Sequence, residues 1–212
     1  MAINLQKGQT INLDKTQNDL SQITVGLGWD VRKPEPKGFL SSIFSSSNEQ
    51  EDYDLDAIAF LLDANDKMRI SNRQNLAGSD VIFYNNLKHP SGNIWLTGDN
   101  RTGEGDGDDE QIIVRLDAME QRVAKILFLV TIYQGHQKKQ HFGMVENAYI
   151  RAVDARGQEI ARFNISNDTA FNGMCGMIFA EVYRKGDGWK FRAIGDPQRT
   201  DTFVEILKQY AN

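Results

Sequence analysis

Residues 99–110 read DNRTGEGDGDDE and set six carboxylates (Asp99, Glu104, Asp106, Asp108, Asp109, Glu110) against one base, Arg101. The formal net charge of the whole 212-residue chain is −5, the same as that of this short tract, so everything else balances. Carboxylates held this close raise one another's pKa and repel, unless they are solvated, paired with bases or gathered around a cation. Gly103, Gly105 and Gly107 alternate with the acids and permit the turns that would aim the oxygens at one centre. Hard oxygen donors without thiolate or imidazole point to calcium rather than a transition metal.

Further oxygen donors punctuate the chain where strands should end. Asp30 follows Gly28-Trp29, Asp54 and Asp56 flank Leu55, and Asn85-Asn86 follows an apolar run. Asp54 and Asp56 are two residues apart, so on a strand both carboxylates face one side. The acidic tract is not a helix–loop–helix calcium loop. Counted from Asp99, Glu110 takes position twelve, but Arg101 and Gly103 stand at ligand positions three and five, and Glu104 replaces the glycine needed at six. Its likeness to the glycine-rich nonapeptide calcium repeat is a single copy, which cannot stack. The plain alternative is a solvated charge run. Its place inside a strand-rich chain, not at a tail, favours cation binding.

Other chemistries lack their motifs. Gly26-Leu27-Gly28 misses the third glycine of a dinucleotide fingerprint, no Walker lysine follows a glycine-rich loop, and there is no GxSxG elbow. His89, His136 and His141 have no zinc-ligand spacing and read as surface or packing residues. Clustered carboxylates holding two divalent ions for phosphoester or pyrophosphate hydrolysis are the enzymatic alternative, but no nucleophile accompanies them. A pI near 5.3 with no basic stripe argues against nucleic acid. One cysteine, Cys175 in the apolar setting GMCGMIF, fits a reduced cytoplasmic compartment and a packing role. The polar start MAINLQKGQTINLDK has no signal-peptide core, and no apolar run reaches the ~20 residues of a membrane span.

The elements that must carry these residues are strands. Ile23, Val25 and Leu27 alternate with Thr24, Gly26 and Gly28, and residues 55–62 are apolar on both faces after Asp56. Further strands are predicted over 81–84, 93–97, 112–116, 126–133, 148–153, 159–164, 177–184 and 189–194, several joined by glycine turns at Gly92, Gly157 and Gly186-Asp187-Gly188. Only the C-terminus reads as helix, with an apolar stripe of Phe203, Val204, Ile206, Leu207 and Tyr210 after Asp201 as N-cap. The expectation is mainly β: one domain over 1–212, an antiparallel β-sandwich of two sheets with a C-terminal helix. Residues 33–52 (KPEPKGFLSSIFSSSNEQED) read as a flexible surface insertion. On a short helix its Phe39, Leu40, Ile43 and Phe44 would share one side and offer a patch to a partner or membrane surface.

The strings GLGWD (26–30), DYDLDAIAFLLD (52–63), VIFYNN (81–86), TGDNRTGEGDGDDE (97–110), FGMVENAYIR (142–151) and EVYRKGDGWKFRAIG (181–195) occur in an order that resembles the TerD-type tellurium-resistance and bacterial stress-protein family. The resemblance implies a cytoplasmic calcium-binding β-sandwich without established enzymatic activity. It implies Asp99, Asn100, Asp106, Asp108, Asp109 and Glu110 as core ligands, with Asp30, Asp54, Asp56 and Asn86 contributing from neighbouring strands. Carboxyl ligands this numerous suggest two Ca2+ ions. The implied partners are other Ter proteins and a TerC-type membrane protein. The 33–52 insertion resembles the TerX-like branch. Tellurite, an oxyanion, would be repelled by the acidic tract, and one cysteine in an apolar setting offers little thiol chemistry for reducing it.

Overall fold

Period-two alternation places Val25, Leu27 and Trp29 on the buried side of a strand and leaves Thr24, Gly26, Gly28 and Asp30 on the other. The computed structural model describes residues 2–31, 53–97, 107–165 and 169–211, and the 33–52 insertion, with its apolar patch, lies outside the described residues. The strands are β1 (Ile3–Leu5), β2 (Thr10–Leu13), β3 (Ile23–Val31), β4 (Leu55–Leu62), β5 (Val81–Ile82), β6 (Ile94–Leu96), β7 (Glu110–Val114), β8 (Lys125–Ile132), β9 (Val145–Val153), β10 (Glu159–Asn164), β11 (Gly176–Lys185) and β12 (Gly188–Gln198). Two short α-helices, α1 (Gly135–Lys138) and α2 (Phe203–Leu207), and two single 3-10 turns at Phe142–Met144 and Thr169–Phe171 complete the order.

They form two six-stranded sheets, ordered β1-β10-β9-β3-β7-β6 and β2-β12-β11-β8-β4-β5. Pairing is antiparallel throughout except between β1 and β10. The main core lies between the sheets: Val25, Leu27, Ile112 and Ile150 from the first meet Leu55, Ala57, Ala59, Phe128 and Val130 from the second. The predicted antiparallel sandwich is therefore the observed fold.

β4 is apolar on both faces because the second sheet is covered on both. Leu55, Ala57, Ala59 and Leu61 point into the sandwich, while Ile58, Phe60 and Leu62 pack outward with Phe83, Phe203, Ile206 and Leu207. α2 is thus a lid on the outer face of that sheet. Its N-cap is Thr202, not Asp201, whose carboxylate instead accepts the His136 backbone N–H at 3.1 Å. The helix ends before Tyr210, whose ring still packs 5.9 Å from that of Phe60, while Val204 is 42% exposed, so the predicted stripe holds for Phe203, Ile206, Leu207 and Tyr210.

Three other local differences have plain causes. β1 and β2 are too short and polar to show alternation, and they form because β10 and β12 offer edges to them. The expected strand over 81–84 stops at Ile82, since Phe83 and Asn86 close a turn through the Asn86 N–H to the Phe83 carbonyl at 2.8 Å. α1 was not anticipated from the sequence; left-handed backbone at Gln134 and Lys139 brackets its four residues.

Candidate acidic site at the end of the sandwich

The ends of β3, β7 and β9 in the first sheet meet at the C-terminal side of the acidic tract. Gly26 and Gly28 leave the outer face of β3 bare there. The Asp108 carboxylate lies over Gly26 and the Tyr149 ring over Gly28, each occupying the space that a Cβ would need. Asp108 is held from several sides. Arg151 donates through Nε at 2.7 Å and through a terminal nitrogen at 3.0 Å, one to each carboxylate oxygen. The Tyr149 hydroxyl donates at 3.0 Å and Gln111 Nε2 at 3.2 Å. The Asp108 side chain is only 1% exposed. Burial and the Asp108 charge push the Tyr149 hydroxyl up to about 12. Hydrogen bonding to Asp108 raises the Arg151 guanidinium above its ordinary value. Such a two-pronged arginine–carboxylate pair positions the chain.

Asp109 has a different environment. Its N–H donates to the Leu27 carbonyl at 2.7 Å and its carboxylate accepts the Trp29 N–H at 2.9 Å, so it extends the β3–β7 ladder by one step. Burial raises its pKa, the Trp29 N–H opposes that, and the Asp30 and Asp108 charges push it up further. Asp30 is exposed at the end of β3 and accepts a hydrogen bond from the Asn147 side chain at 2.7 Å. Asn147 has left-handed backbone (φ 51) and sits where β9 has an extra residue against β3. Glu110 points inward and is 3% exposed; its carboxylate accepts the N–H of Ala57 on β4 of the opposite sheet. β5 pairs with β4 only at Ala59 and Phe60, so that N–H lies beyond the sheet ladder, and Glu110 ties the two sheets together.

The single centre predicted from the sequence is divided in the structure. Asp30 and Asp108 lie on the outer side of the first sheet, Asp109 at its end, and Glu110 between the sheets. Asp56 pairs across β4–β8 with Thr131 and shares its face with Ile58 and Phe60, which is the outer side of the second sheet. Asp54 precedes it with the same parity, and its carbonyl accepts the Tyr133 N–H at 2.8 Å. Sheets stack ~10 Å apart, so Asp56 leaves the sandwich in the direction opposite to Asp30 and Asp108. Asn86 is turned to its own loop, donating to the Val81 carbonyl at 2.5 Å and accepting the Gly78 N–H at 3.4 Å. Asp99, Asn100 and Asp106, with Gly103 and Gly105, lie outside the described residues. Among the described residues, no group of three or more acidic, histidine or cysteine side chains converges as a metal-holding cluster.

Sequence reasoning missed the partners that neutralise acids. Arg151 and Tyr149 are outward positions of β9, legible from the alternation with Ala148 and Ile150 but unassignable to Asp108 without the pairing of β3 between β7 and β9. It also missed Asp80. This carboxylate is 2% exposed and binds both terminal nitrogens of Arg122 at 2.7 and 2.8 Å, the His89 ring at 3.1 Å and the Arg69 N–H at 2.9 Å. Burial would raise its pKa, but these bonds bring it down to about 2. His89 is therefore a packing histidine, as expected. Cys175 is buried, donates to the Gln140 carbonyl at 3.2 Å, and has its thiol pushed up by burial.

A family model described as the TerD domain matches residues 1–210. The chain is 53% identical to the tellurium resistance protein TerX of Serratia marcescens, with 99% of this chain and all of the relative aligned. It is 42% identical to the tellurium resistance protein TerD of the same organism, over 92% of this chain and 90% of the relative. Against the stress response protein SCP2 of Bacillus subtilis it is 38% identical over 99% of this chain and all of that one. A crystal structure of a homologue of telluride resistance protein (TerD) from Streptomyces coelicolor superimposes with a TM-score of 0.60, at 21% identity, covering 87% of this chain and 94% of that one. No helix among the described residues is long and apolar enough to cross a membrane. The chain belongs to the TerD domain family, whose relatives here carry the names of tellurium resistance and stress response.

Proposed function

We propose that this protein is a calcium-binding module of a cytoplasmic stress response that acts by binding partners and carries no chemistry of its own. The observation that carries the reading is the position of Asp109, anchored to Trp29 at the sandwich end and pressed by the charges of Asp30 and Asp108. The donor set fits a hard cation, since it consists of carboxylate and amide oxygens with no sulfur or imidazole. The described donors do not complete a six-to-eight-oxygen shell alone. Asp30 and Asp109 would hold one side, and Asp99, Asn100 and Asp106 would supply the other, with enough carboxylates for two ions. Asp108, tied down by Arg151, is a positioning residue in this reading.

A bound divalent ion would supply positive charge where Asp30 and Asp109 lie together. The chain's own residues do the rest. Trp29 and Leu27 fix Asp109 through backbone bonds, Asn147 steadies Asp30, and Glu110 next to Asp109 links this end to β4, so a cation bound there is felt by both sheets. By the family resemblance, the loaded surface is read by other Ter proteins and a TerC-type membrane protein. Isothermal titration of calcium into the metal-free protein tests this. Saturable binding to one or two sites is expected, weakened at least ~tenfold, about 1.4 kcal/mol, by Asp106→Ala combined with Asp109→Asn. Heats identical in the two proteins would sink the proposal.

A further inference from the structure

The 3-10 turn Phe142–Met144 carries a sulfur that the acidic site does not use. Phe142 and Val145 are buried, and the Phe142 N–H is tied to the Met174 carbonyl at 2.8 Å, so the turn is pinned at both ends. Met144 lies between those anchors and is held at the surface, 43% exposed. Its sulfur accepts a hydrogen bond at 3.2 Å from the hydroxyl of Tyr53, a residue only 4% exposed that leads into β4. Among the described residues this is the one hydrogen bond of that hydroxyl. A buried tyrosine O–H needs a partner, and a thioether is a weak acceptor. The pair thus sets an exposed, polarisable sulfur against a buried donor whose needs it meets poorly.

The other sulfurs are better protected. Met68, Met119 and Met177 are buried and Met174 is half-buried. Cys175 is buried as well, and its raised pKa denies it the thiolate form that reacts with peroxides. We propose that Met144 is an oxidation site for hydrogen peroxide and that Tyr53 registers the change. The sulfur lone pair attacks one peroxide oxygen, and the O–O bond breaks as the S–O bond forms. The departing hydroxide takes the proton of the transferred oxygen and leaves as water. Sulfur is oxidised by two electrons and the peroxide is reduced by two. The product is a sulfoxide, which is polar and is returned to the thioether by methionine sulfoxide reductases. Its oxygen is a strong acceptor, and the open side of Met144 leaves room to turn that oxygen toward the Tyr53 hydroxyl. The inference is independent of the calcium reading and uses none of the acidic residues.

Limiting hydrogen peroxide added to the full-length protein with EDTA present tests it, followed by peptide mass spectrometry and tyrosine difference absorbance. Among Met68, Met119, Met144, Met174 and Met177, Met144 is expected to convert first, at least ~tenfold faster than the three buried ones. A shift of tyrosine absorbance to longer wavelength should rise in step with sulfoxide at Met144. That shift should be lost in Tyr53→Phe, which still oxidises at Met144, and in Met144→Leu, which does not. Conversion of another of these methionines ahead of Met144 would overturn the site. Sulfoxide at Met144 without a change in tyrosine absorbance, or with the same change in Tyr53→Phe, would overturn the link to Tyr53. Should Tyr53→Phe fail to fold, Met144→Leu decides, since it alters an exposed side chain: a tyrosine shift that persists there contradicts the proposal.

Discussion

Asp80 and Asp109 are both carboxylates drawn largely out of water, and the protein treats them in opposite ways. Around Asp80 the chain assembles Arg122, His89 and the Arg69 N–H, and the acid is held at about 2. Around Asp109 it provides the Trp29 N–H and then two more carboxylates, Asp30 and Asp108, and the acid is pushed up. The first arrangement is complete within the fold and works as a brace. The second gathers negative charge at the place where an acidic tract rejoins the sandwich. Burial alone therefore does not decide which way a carboxyl's pKa moves; the sign of its neighbours does.

The largest effect that would test this contrast is loss of the brace. Asp80→Ala leaves Arg122 beside a buried void and should cost about 4 kcal/mol in chemical denaturation, in the range seen when one partner of a buried pair is removed. Acid probes the same group without mutation. Its folded pKa lies below the ordinary 3.8 at about 2, so its contribution is full above pH 4 and is lost as pH falls through that window. That amounts to about 2 kcal/mol. Asp109 has the reverse sign: its raised folded pKa makes the protein lose stability as pH rises through that value. Denaturation midpoints followed across the acid range should therefore be shallower in Asp80→Asn and steeper in Asp109→Asn than in the unaltered protein.

A smaller effect is expected at Arg151. Arg151→Met keeps much of the aliphatic volume but removes both bonds to the nearly inaccessible Asp108 carboxylate, and should cost about 2 kcal/mol. Calcium binding should weaken with it, because Asp108 is then no longer held in position beside Asp109. The smallest effect belongs to Asp109→Asn without metal. The amide oxygen still accepts the Trp29 N–H while the repulsion from Asp30 and Asp108 disappears, for a gain of roughly 0.5 kcal/mol in thermal or chemical denaturation. A loss of more than 1 kcal/mol would instead make Asp109 a brace like Asp80.

Much of the architecture is legible in the sequence because alternation reports burial directly. β4 shows this most clearly, since its apolar residues on both faces announce a strand with a core on each side, and α2 supplies the second one. β1 and β2 were not legible, because a three- or four-residue edge strand is specified by its partner and not by its own pattern. At the site, the acidic tract was conspicuous but its division was not. Asp108 and Asp109 are neighbours in sequence, and only the order β9-β3-β7 decides that Arg151 reaches the first. Asp56 likewise looked convergent with Asp30 until the two strands proved to lie in different sheets, with both side chains facing away from the shared core. Strand parity names a side; it does not say which sheet that side belongs to.

Backbone amide shifts recorded during a calcium titration of the metal-free protein show whether a cation binds where β3, β7 and β9 end. Saturable shifts are expected at Trp29, Asp30, Asn147 and residues 107–110, with Ala57 following through Glu110. Stabilisation of about 2.7 kcal/mol should accompany calcium at a hundredfold excess over its Kd. Shifts centred instead on Asp56, Tyr84 and Asp201, or no saturable shifts at all, would contradict it.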